Sequence, residues 1–203
     1  MFNQVYQFEK SIAEFYKAPY AIATDSCTHA IELCIRYKKI KNITIPTRTY
    51  ISIAFLPSKL NISWDWDDQE WKDYYYLGST NIIDAAVYWK EGGYITGTFM
   101  CLSFQFQKHL SLGRGGMILC DKKEDYEKLK KMSYDGRMPD IPWREQNIDS
   151  IGFHYYMTPE TAMLGINKLE KAKNTVPREW VWKDWPDLSS MEVFNEKSIH
   201  NWN

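Results

Sequence analysis

Residues 103–116 read Ser103-Phe-Gln-Phe-Gln-Lys108-His-Leu-Ser-Leu-Gly113-Arg-Gly115-Gly116, and the apolar run Met-Ile-Leu-Cys follows at once. A short apolar strand is predicted over residues 98–104, so Lys108 lies between that strand and a glycine-rich turn into the next one. A lysine that is partly desolvated in this way can lose its proton and attack a carbonyl carbon to form a Schiff base. A lysine before such a turn can also be a solvated loop residue, and the rest of the sequence has to separate the two interpretations.

The composition is that of a globular chain without a charge bias. The chain has 203 residues, of which 44% are hydrophobic and 16% aromatic, and its formal net charge is −1. This length is enough for one or two domains with a sizeable core. The balance of 25 basic and 26 acidic residues gives no electrostatic argument for a nucleic-acid or membrane-surface partner.

The cysteine pattern predicts reduced thiols. Cys27, Cys34, Cys101 and Cys120 lie in apolar or mixed runs and lack the close spacing of zinc ligands or disulfide frameworks. The first residues lack a basic region followed by an apolar stretch, and no apolar run is long enough to span a membrane. We therefore expect a cytoplasmic protein with buried thiols, no metal and no membrane partner.

Hydrophobic periodicity predicts alternating helices and strands. Helices are expected over residues 5–15, 26–41, 49–56, 123–132 and 158–172, the second with Asp25 or Ser26 as its N-cap and the last with Thr158. Strands are expected over residues 20–24, 42–46, 61–66, 74–77, 81–84, 98–104 and 116–120. This alternation predicts an open α/β sheet that is mostly parallel, with ligands at the carboxyl ends of its strands.

Three further features lie where a pyridoxal phosphate (PLP) site needs them. Residues 24–29, Thr-Asp-Ser-Cys-Thr-His, form a strand-to-helix junction that could hold a phosphate, or simply cap the helix. Asp84 ends a predicted strand, where a carboxylate can pair with a protonated pyridine nitrogen or serve as a turn residue. Tyr50 follows another strand and could stack on a ring or belong to the core.

These pieces follow one another in a distinctive order. The order is Ser-x-Thr at a helix start, Pro-x-x-Thr-aromatic, strand-Asp-Ala-Ala, Ser-Phe-x-x-x-Lys and Gly-x-Gly-Gly. It resembles the DegT/StrS family of PLP-dependent sugar aminotransferases, which have the fold-type I aspartate aminotransferase architecture. The resemblance spans roughly residues 5–172, and its most specific parts are the segment around Lys108 and the Gly-x-Gly-Gly turn.

The resemblance implies roles for two catalytic residues. Lys108 would be the Schiff-base lysine and would then act as general base and acid. Asp84 would pair with the pyridine nitrogen of the cofactor. The implied reaction moves an amino group from an amino acid, by family analogy glutamate, to the keto sugar of a nucleotide-sugar.

The resemblance also implies the rest of the cofactor site. Cys27, Thr28 and Ser103 would contact the phosphate, and Tyr50 would stack on the pyridine ring. His154 falls where the family commonly has an asparagine that reaches the phosphate of the neighbouring subunit, which implies a homodimer with shared active sites. The small-molecule partners would be the amino donor and the nucleotide-sugar.

The sequence departs from the family pattern at four positions. Cys27 replaces a phosphate-loop glycine, which matters only if the backbone there needs a positive φ. Val87 replaces the glutamine usual after Asp-Ala-Ala, so a hydrogen bond to the cofactor's ring hydroxyl is expected to be lost. His154 replaces the asparagine, and Tyr156 replaces a nearby arginine.

The resemblance implies an unusual domain organisation. Residues 1–174 would form the PLP-binding large domain, compressed between about residues 67 and 84, with the family's small C-terminal domain largely absent. Residues 175–203 would form a Trp-rich extension with a polar tail. The run Trp180-Val-Trp-Lys-Asp-Trp185 could stack on carbohydrate, or cover an exposed core or dimer seam.

Two alternative functions remain open at this point. A PLP-dependent sugar dehydratase has a histidine in place of the lysine, and His109 is adjacent but out of register. A catalytically silent relative could bind PLP or a sugar nucleotide without turnover. The absent small domain and Val87 favour the silent relative, whereas the pair of Lys108 and Asp84 opposes it.

Overall fold

The computed structural model describes residues 2–194, so the polar tail predicted at residues 196–203 lies outside the described part. Six helices and seven strands, with short 3₁₀ turns between some of them, follow one another in the order α1 (Asn3–Tyr16), β1 (Tyr20–Thr24), α2 (Cys27–Tyr37), β2 (Asn42–Pro46), α3 (Ile51–Ala54), α4 (Leu56–Leu60), β3 (Ser63–Asp67), β4 (Tyr75–Tyr76), β5 (Ile82–Asp84), β6 (Phe99–Ser103), β7 (Gly116–Cys120), α5 (Lys123–Ser133) and α6 (Pro159–Lys173).

The central sheet is mixed, which corrects the expectation of a mostly parallel one. Its strand order is β1-β7-β6-β5-β4. Only β5 and β6 pair in parallel within it, whereas β1–β7, β6–β7 and β4–β5 are antiparallel. The segment from β6 to β7 contains no helix to carry the chain across the sheet, so β7 folds back beside β6. β2 and β3 form a separate two-stranded parallel sheet.

Helices cover both faces of the central sheet. Alternate residues of β6 and β7 point to opposite faces, as the strand period requires. On one face Met100 and Met117 pack with α1 and α6. On the other face Cys101 and Ile118 pack with α2 and Leu129 of α5. The result is a three-layer α/β/α arrangement with a separate hydrophobic core on each side of the sheet.

A buried ion pair joins helices α1 and α5. Lys130 Nζ lies 2.5 Å from Glu9 Oε1, and both side chains are almost fully buried. The same carboxylate oxygen accepts the backbone N–H of Ala23 at 2.7 Å, which attaches the pair to β1. Burial raises the pKa of Glu9, and the charge of Lys130 opposes that rise. A buried pair of this kind depends on both partners, because removing one leaves an uncompensated charge.

Local sequence signals place most helix ends correctly. Ser26 is the N-cap of α2 and accepts a hydrogen bond from the backbone N–H of His29, which decides between the two predicted caps. Thr158 caps α6 in the same way, as expected. The helix predicted over residues 49–56 instead divides into α3 and α4, with Pro57 in the first turn of α4.

The thiols are buried and reduced, as the sequence analysis predicts. The four free cysteines lie on β6, β7 and α2, and they are Cys27, Cys34, Cys101 and Cys120. Among residues 2–194, no helix is both long and apolar enough to cross a bilayer.

Candidate active site

Five elements meet around one cavity. Its volume is about 330 Å³, and it is lined by the carboxyl ends of β5 and β6, the first turn of α2, the start of α3 and the glycine turn before β7. Six of the seven predicted cofactor-binding residues line this cavity: Cys27, Thr28, Tyr50, Asp84, Ser103 and Lys108. Because β5 and β6 are parallel, Asp84 and Ser103 meet at the same edge of the sheet.

Asp84 is buried and held by three donors. Its side chain accepts the Tyr75 hydroxyl at 2.6 Å and the backbone N–H of Ala86 at 3.0 Å, and the Cys27 thiol lies 3.9 Å away. Burial raises the pKa of Asp84, whereas the bonds from Tyr75 and Ala86 and the charge of Lys108 lower it. Asp84 therefore presents a buried, oriented carboxyl group to the cavity.

Lys108 lies in the loop between β6 and β7. Its backbone N–H donates to the carbonyl of Gln105 at 2.8 Å, and Phe106 donates to Gly113 at 3.1 Å across the loop. Burial lowers the pKa of the Lys108 amine, and the nearby charge of Asp84 opposes that shift. A lysine amine with a lowered pKa has a larger neutral, nucleophilic fraction at neutral pH.

The start of α2 forms the polar end of the cavity. Thr28 Oγ1 and Ser52 Oγ lie 2.6 Å apart, so two hydroxyls stand beside the first free N–H groups of the helix. β7 approaches this turn so closely that a Cβ atom on Gly116 would overlap the carbonyl carbon of Ser26. Only glycine allows this approach, which explains the end of the Gly-x-Gly-Gly motif.

Cys27 contributes its backbone more than its side chain to this polar end. The thiol points toward Asp84 and toward the carbonyl of Cys101 at 3.5 Å, and not into the helix N-terminus. Cys27 is not among the residues with positive φ, so the replacement of the family's glycine costs no backbone strain. Its predicted phosphate contact stays a prediction, and the backbone N–H is the group that could make it.

The cavity also contains residues that the sequence analysis did not identify. Ser52, Gln105 and Arg114 line it, and Arg114 Nη2 lies 2.7 Å from Asp25 Oδ2. Arg114 is the variable position of the Gly-x-Gly-Gly motif, so the motif itself was a signal for it. Tyr75, which is 3% exposed and bonds Asp84, had only the weaker signal of a short predicted strand.

His154 and His109, which the sequence pointed to as candidates, lie outside this cavity. His154 does not line the cavity of its own chain; it is mostly exposed and lies 3.1 Å from Asp135. Its expected contact with a neighbouring subunit stays a prediction. His109, the out-of-register alternative to Lys108, bonds the carbonyl of Ala172 at 2.7 Å and also lies outside the cavity lining. This geometry favours Lys108 as the residue that faces a ligand.

The arrangement fits PLP. A carboxyl group, a lysine amine and an anion-binding helix start face a single cavity, which is the set of groups that a pyridine nitrogen, an aldehyde and a phosphate need. Tyr50, half exposed at the start of α3, can cover a ring in this cavity. One chain thus supplies the amine, the carboxyl group and the helix start that would hold the cofactor.

Solved structures of other proteins share the fold of this chain. AtS13 from Actinomadura melliaura matches with a TM-score of 0.74 and 17% identity, over 84% of this chain and 60% of that one. The sugar aminotransferase CalS13 from Micromonospora echinospora matches with a TM-score of 0.70 and 11% identity, over 84% and 61% of the two chains. At these identities the likeness establishes the fold, and the chain spans about three fifths of the length of these relatives.

A third relative was solved with cofactor. Spr1654 from Streptococcus pneumoniae is known in a PLP form, which matches with a TM-score of 0.70 and 16% identity over 84% of this chain and 59% of that one, and in a PMP form. The sequence matches none of the curated proteins with which it was compared. The model of the PLP-dependent DegT/DnrJ/EryC1/StrS aminotransferase family, however, matches residues 1–62 and 86–182. The chain therefore belongs to the DegT/DnrJ/EryC1/StrS aminotransferase family, and its cofactor is PLP.

Proposed function

We propose that this protein is an aminotransferase that moves an amino group from an amino acid, glutamate, to the keto sugar of a nucleotide-sugar. The observation that carries the proposal is the convergence of Lys108 and Asp84 on one cavity beside the start of α2. In this proposal residues 1–174 are the PLP-binding domain, and residues 175–203 are an extension of it.

Asp84 controls the proton at the ring nitrogen. Bound PLP supplies an electron sink for negative charge that develops at the substrate carbon. The carboxylate of Asp84, fixed by Tyr75 and Ala86, would accept a hydrogen bond from the ring nitrogen and favour its protonated form. Because Asp84 is buried, its interaction with that charge is little screened by water.

Lys108 holds the cofactor and then moves a proton. Its lowered pKa keeps a fraction of the amine neutral and able to attack the aldehyde carbon. Once freed by the donor amino acid, the same amine would act as the general base that removes the proton from the donor's α-carbon and as the acid that returns a proton. In the net reaction the donor amino acid would become a 2-oxo acid and the keto sugar an amino sugar, with water consumed in the first half-reaction and released in the second.

The remaining residues orient the cofactor. Thr28 and Ser103, with the N–H groups at the start of α2, bind the phosphate, and Ser52 supports Thr28 through its hydroxyl. Tyr50 covers the pyridine ring. We also propose that His154 completes the phosphate site of a second, identical subunit in a cytoplasmic homodimer, since it is exposed and lies outside the cavity of its own chain.

The cofactor site is tested by trapping. The protein titrated with PLP should develop a visible absorption band, and borohydride reduction should leave the cofactor covalently attached to Lys108. Lys108→Ala should lose both signals, whereas Lys10→Ala, which changes an exposed lysine on α1, should retain them. A wild-type protein that gives no adduct contradicts the proposal.

The amino transfer is tested separately. Glutamate and a panel of keto nucleotide-sugars should give 2-oxoglutarate and an amino sugar in equal amounts, and Asp84→Asn should lower the rate more than the affinity for PLP. A protein that forms the lysine adduct but releases no 2-oxo acid with any donor would be the catalytically silent relative.

A further inference from the structure

A second cavity adjoins the cofactor site. It has a volume of about 470 Å³ and shares Tyr50 and Lys108 with the cavity described above. Its other walls come largely from residues 178–191, of which residues 183–191 lie beyond the range matched by the family model. Lys108 lines both cavities, so a molecule in the second cavity lies beside the proposed cofactor site.

Two indole rings form the apolar wall of this cavity, which we call the tryptophan cavity. Lys108 Nζ lies 5.4 Å from the ring centroid of Trp180 and 6.0 Å from that of Trp185. The Trp180 and Trp185 centroids are 5.2 Å apart, and Trp185 also packs on the buried Trp71 at 4.9 Å. The indoles therefore form a fixed wall whose ring centroids lie 5.4 and 6.0 Å from the lysine amine.

Backbone and side-chain contacts fasten this wall to the body of the domain. Leu188 donates its N–H to the carbonyl of Thr47 at 2.8 Å, and Arg48 Nη1 donates to the carbonyl of Trp185 at 2.8 Å. Trp182 donates its backbone N–H to Trp71 at 3.1 Å. The wall is thus positioned before any ligand binds, which lowers the entropy cost of binding.

Planar polar groups complete the cavity. Gln107, Asp184 and Arg178 line it beside the indoles. Arg178 Nη2 lies 2.8 Å from Asp184 Oδ1, and Arg178 packs over the ring of Trp180 at 3.8 Å. The cavity therefore combines aromatic surface with an amide, a carboxylate and a guanidinium, groups that can exchange paired hydrogen bonds with vicinal hydroxyls.

We propose that the tryptophan cavity binds the pyranose ring of the acceptor, with the indoles of Trp180 and Trp185 against its C–H face and the polar groups on its hydroxyls. This inference rests on the proposed aminotransferase function, because amino transfer requires the keto carbon to come next to the cofactor at Lys108. A six-membered ring placed there extends to the indoles, whereas the nucleotide lies farther out.

Saturation-transfer NMR on the full-length protein tests this assignment with UDP-glucose as the probe and UDP alone as the second arm. The pyranose protons of UDP-glucose should receive saturation, and UDP-glucose should bind more tightly than UDP. Trp180→Ala should weaken UDP-glucose by about tenfold and should leave UDP almost unchanged. Trp143→Ala, which removes an exposed tryptophan outside this cavity, is the matched control and should behave as wild type.

The outcomes separate this inference from the proposed function. Any one of four results would overturn the tryptophan-cavity assignment. They are pyranose protons that receive no saturation, equal affinity for UDP and UDP-glucose, no binding of UDP-glucose, and equal affinity of the Trp180 and Trp143 variants for UDP-glucose. If Trp180→Ala does not fold, Trp180→Phe keeps an aromatic ring in the wall, and the wild-type comparison of UDP with UDP-glucose still decides. Loss of the borohydride adduct on Lys108, by contrast, overturns the aminotransferase function and leaves the NMR result standing.

Discussion

Burial raises the pKa of Asp84 and the hydroxyl of Tyr75 opposes that rise, so Tyr75→Phe should change the pH dependence of the site. The Tyr75 hydroxyl donates to Asp84 Oδ2 at 2.6 Å, so in its contact with Thr49 Oγ1 it has to accept. Burial and the neighbouring carboxylate raise the pKa of Tyr75, which keeps it a donor across the working pH range. Thr49, Tyr75 and Asp84 thus form a one-way chain of hydrogen bonds that ends on the carboxylate.

The size of the effect follows from that bond. A hydrogen bond to a charged group contributes about 1.5–3 kcal/mol, and one pKa unit corresponds to about 1.4 kcal/mol. Removing the hydroxyl should therefore raise the pKa of Asp84 by about one to two units, since only Ala86 and the distant Cys27 thiol remain as donors. The buried Thr49 hydroxyl also loses its partner, which should lower the free energy of unfolding by about 1–3 kcal/mol.

The assay is the dissociation constant for PLP measured as a function of pH. Affinity should fall on the acid side as Asp84 becomes protonated, and the midpoint of that fall should lie about one to two pH units higher in Tyr75→Phe than in wild type. At alkaline pH, where Asp84 is ionised in both proteins, the affinities should converge. The titrations of free PLP are common to both proteins and cancel in the difference.

Tyr37→Phe is the matched control, because Tyr37 donates to Asp125 at 2.7 Å outside the cavity lining. It removes the same kind of bond and should leave the pH profile of PLP binding at its wild-type position. Profiles of folded Tyr75→Phe and Tyr37→Phe that coincide across the whole pH range would refute the assignment of Tyr75 as the residue that positions and charges Asp84.

Three further outcomes test other parts of the structure. Lys130→Met leaves Glu9 buried without its partner and should cost about 3–5 kcal/mol of unfolding free energy in urea denaturation; Lys128→Met, which breaks an exposed pair on the same helix, should not change the unfolding midpoint measurably. Because the pKa of Lys108 is lowered, the rate of attachment to PLP, followed by stopped-flow absorbance, should rise with pH with a midpoint below about pH 10.4, the ordinary lysine range. A midpoint in that ordinary range would contradict the lowered pKa. Gly116→Ala forces β7 away from the start of α2, so it should cost about 1–3 kcal/mol of stability and weaken PLP binding. Wild-type stability together with wild-type affinity for PLP would show that the close approach is not required.

The local elements of this protein were predictable from short-range patterns. Apolar spacing located α1, and the charged run at residues 123–132 located α5, to within a few residues. Thr158 was identified as a cap and Ser26 as one of two candidates, because capping depends only on neighbouring residues. The motif order also placed six of the predicted cofactor residues, which include Lys108 and Asp84, around one cavity. Strand direction was not predictable, since the antiparallel return of β7 depends on pairing partners far apart in the chain.

By itself, then, the sequence determined the candidate groups of the proposed site: an amine, a carboxylate and a helix start, each recognisable because its own neighbours create its signal. Only the tertiary structure decided which distant residues contact those groups. Tyr75 reaches Asp84 from the adjacent antiparallel strand, and Trp180 meets Lys108 from a segment distant along the chain. Contacts of this kind form when separate elements pack together, so no local pattern in the sequence announces them.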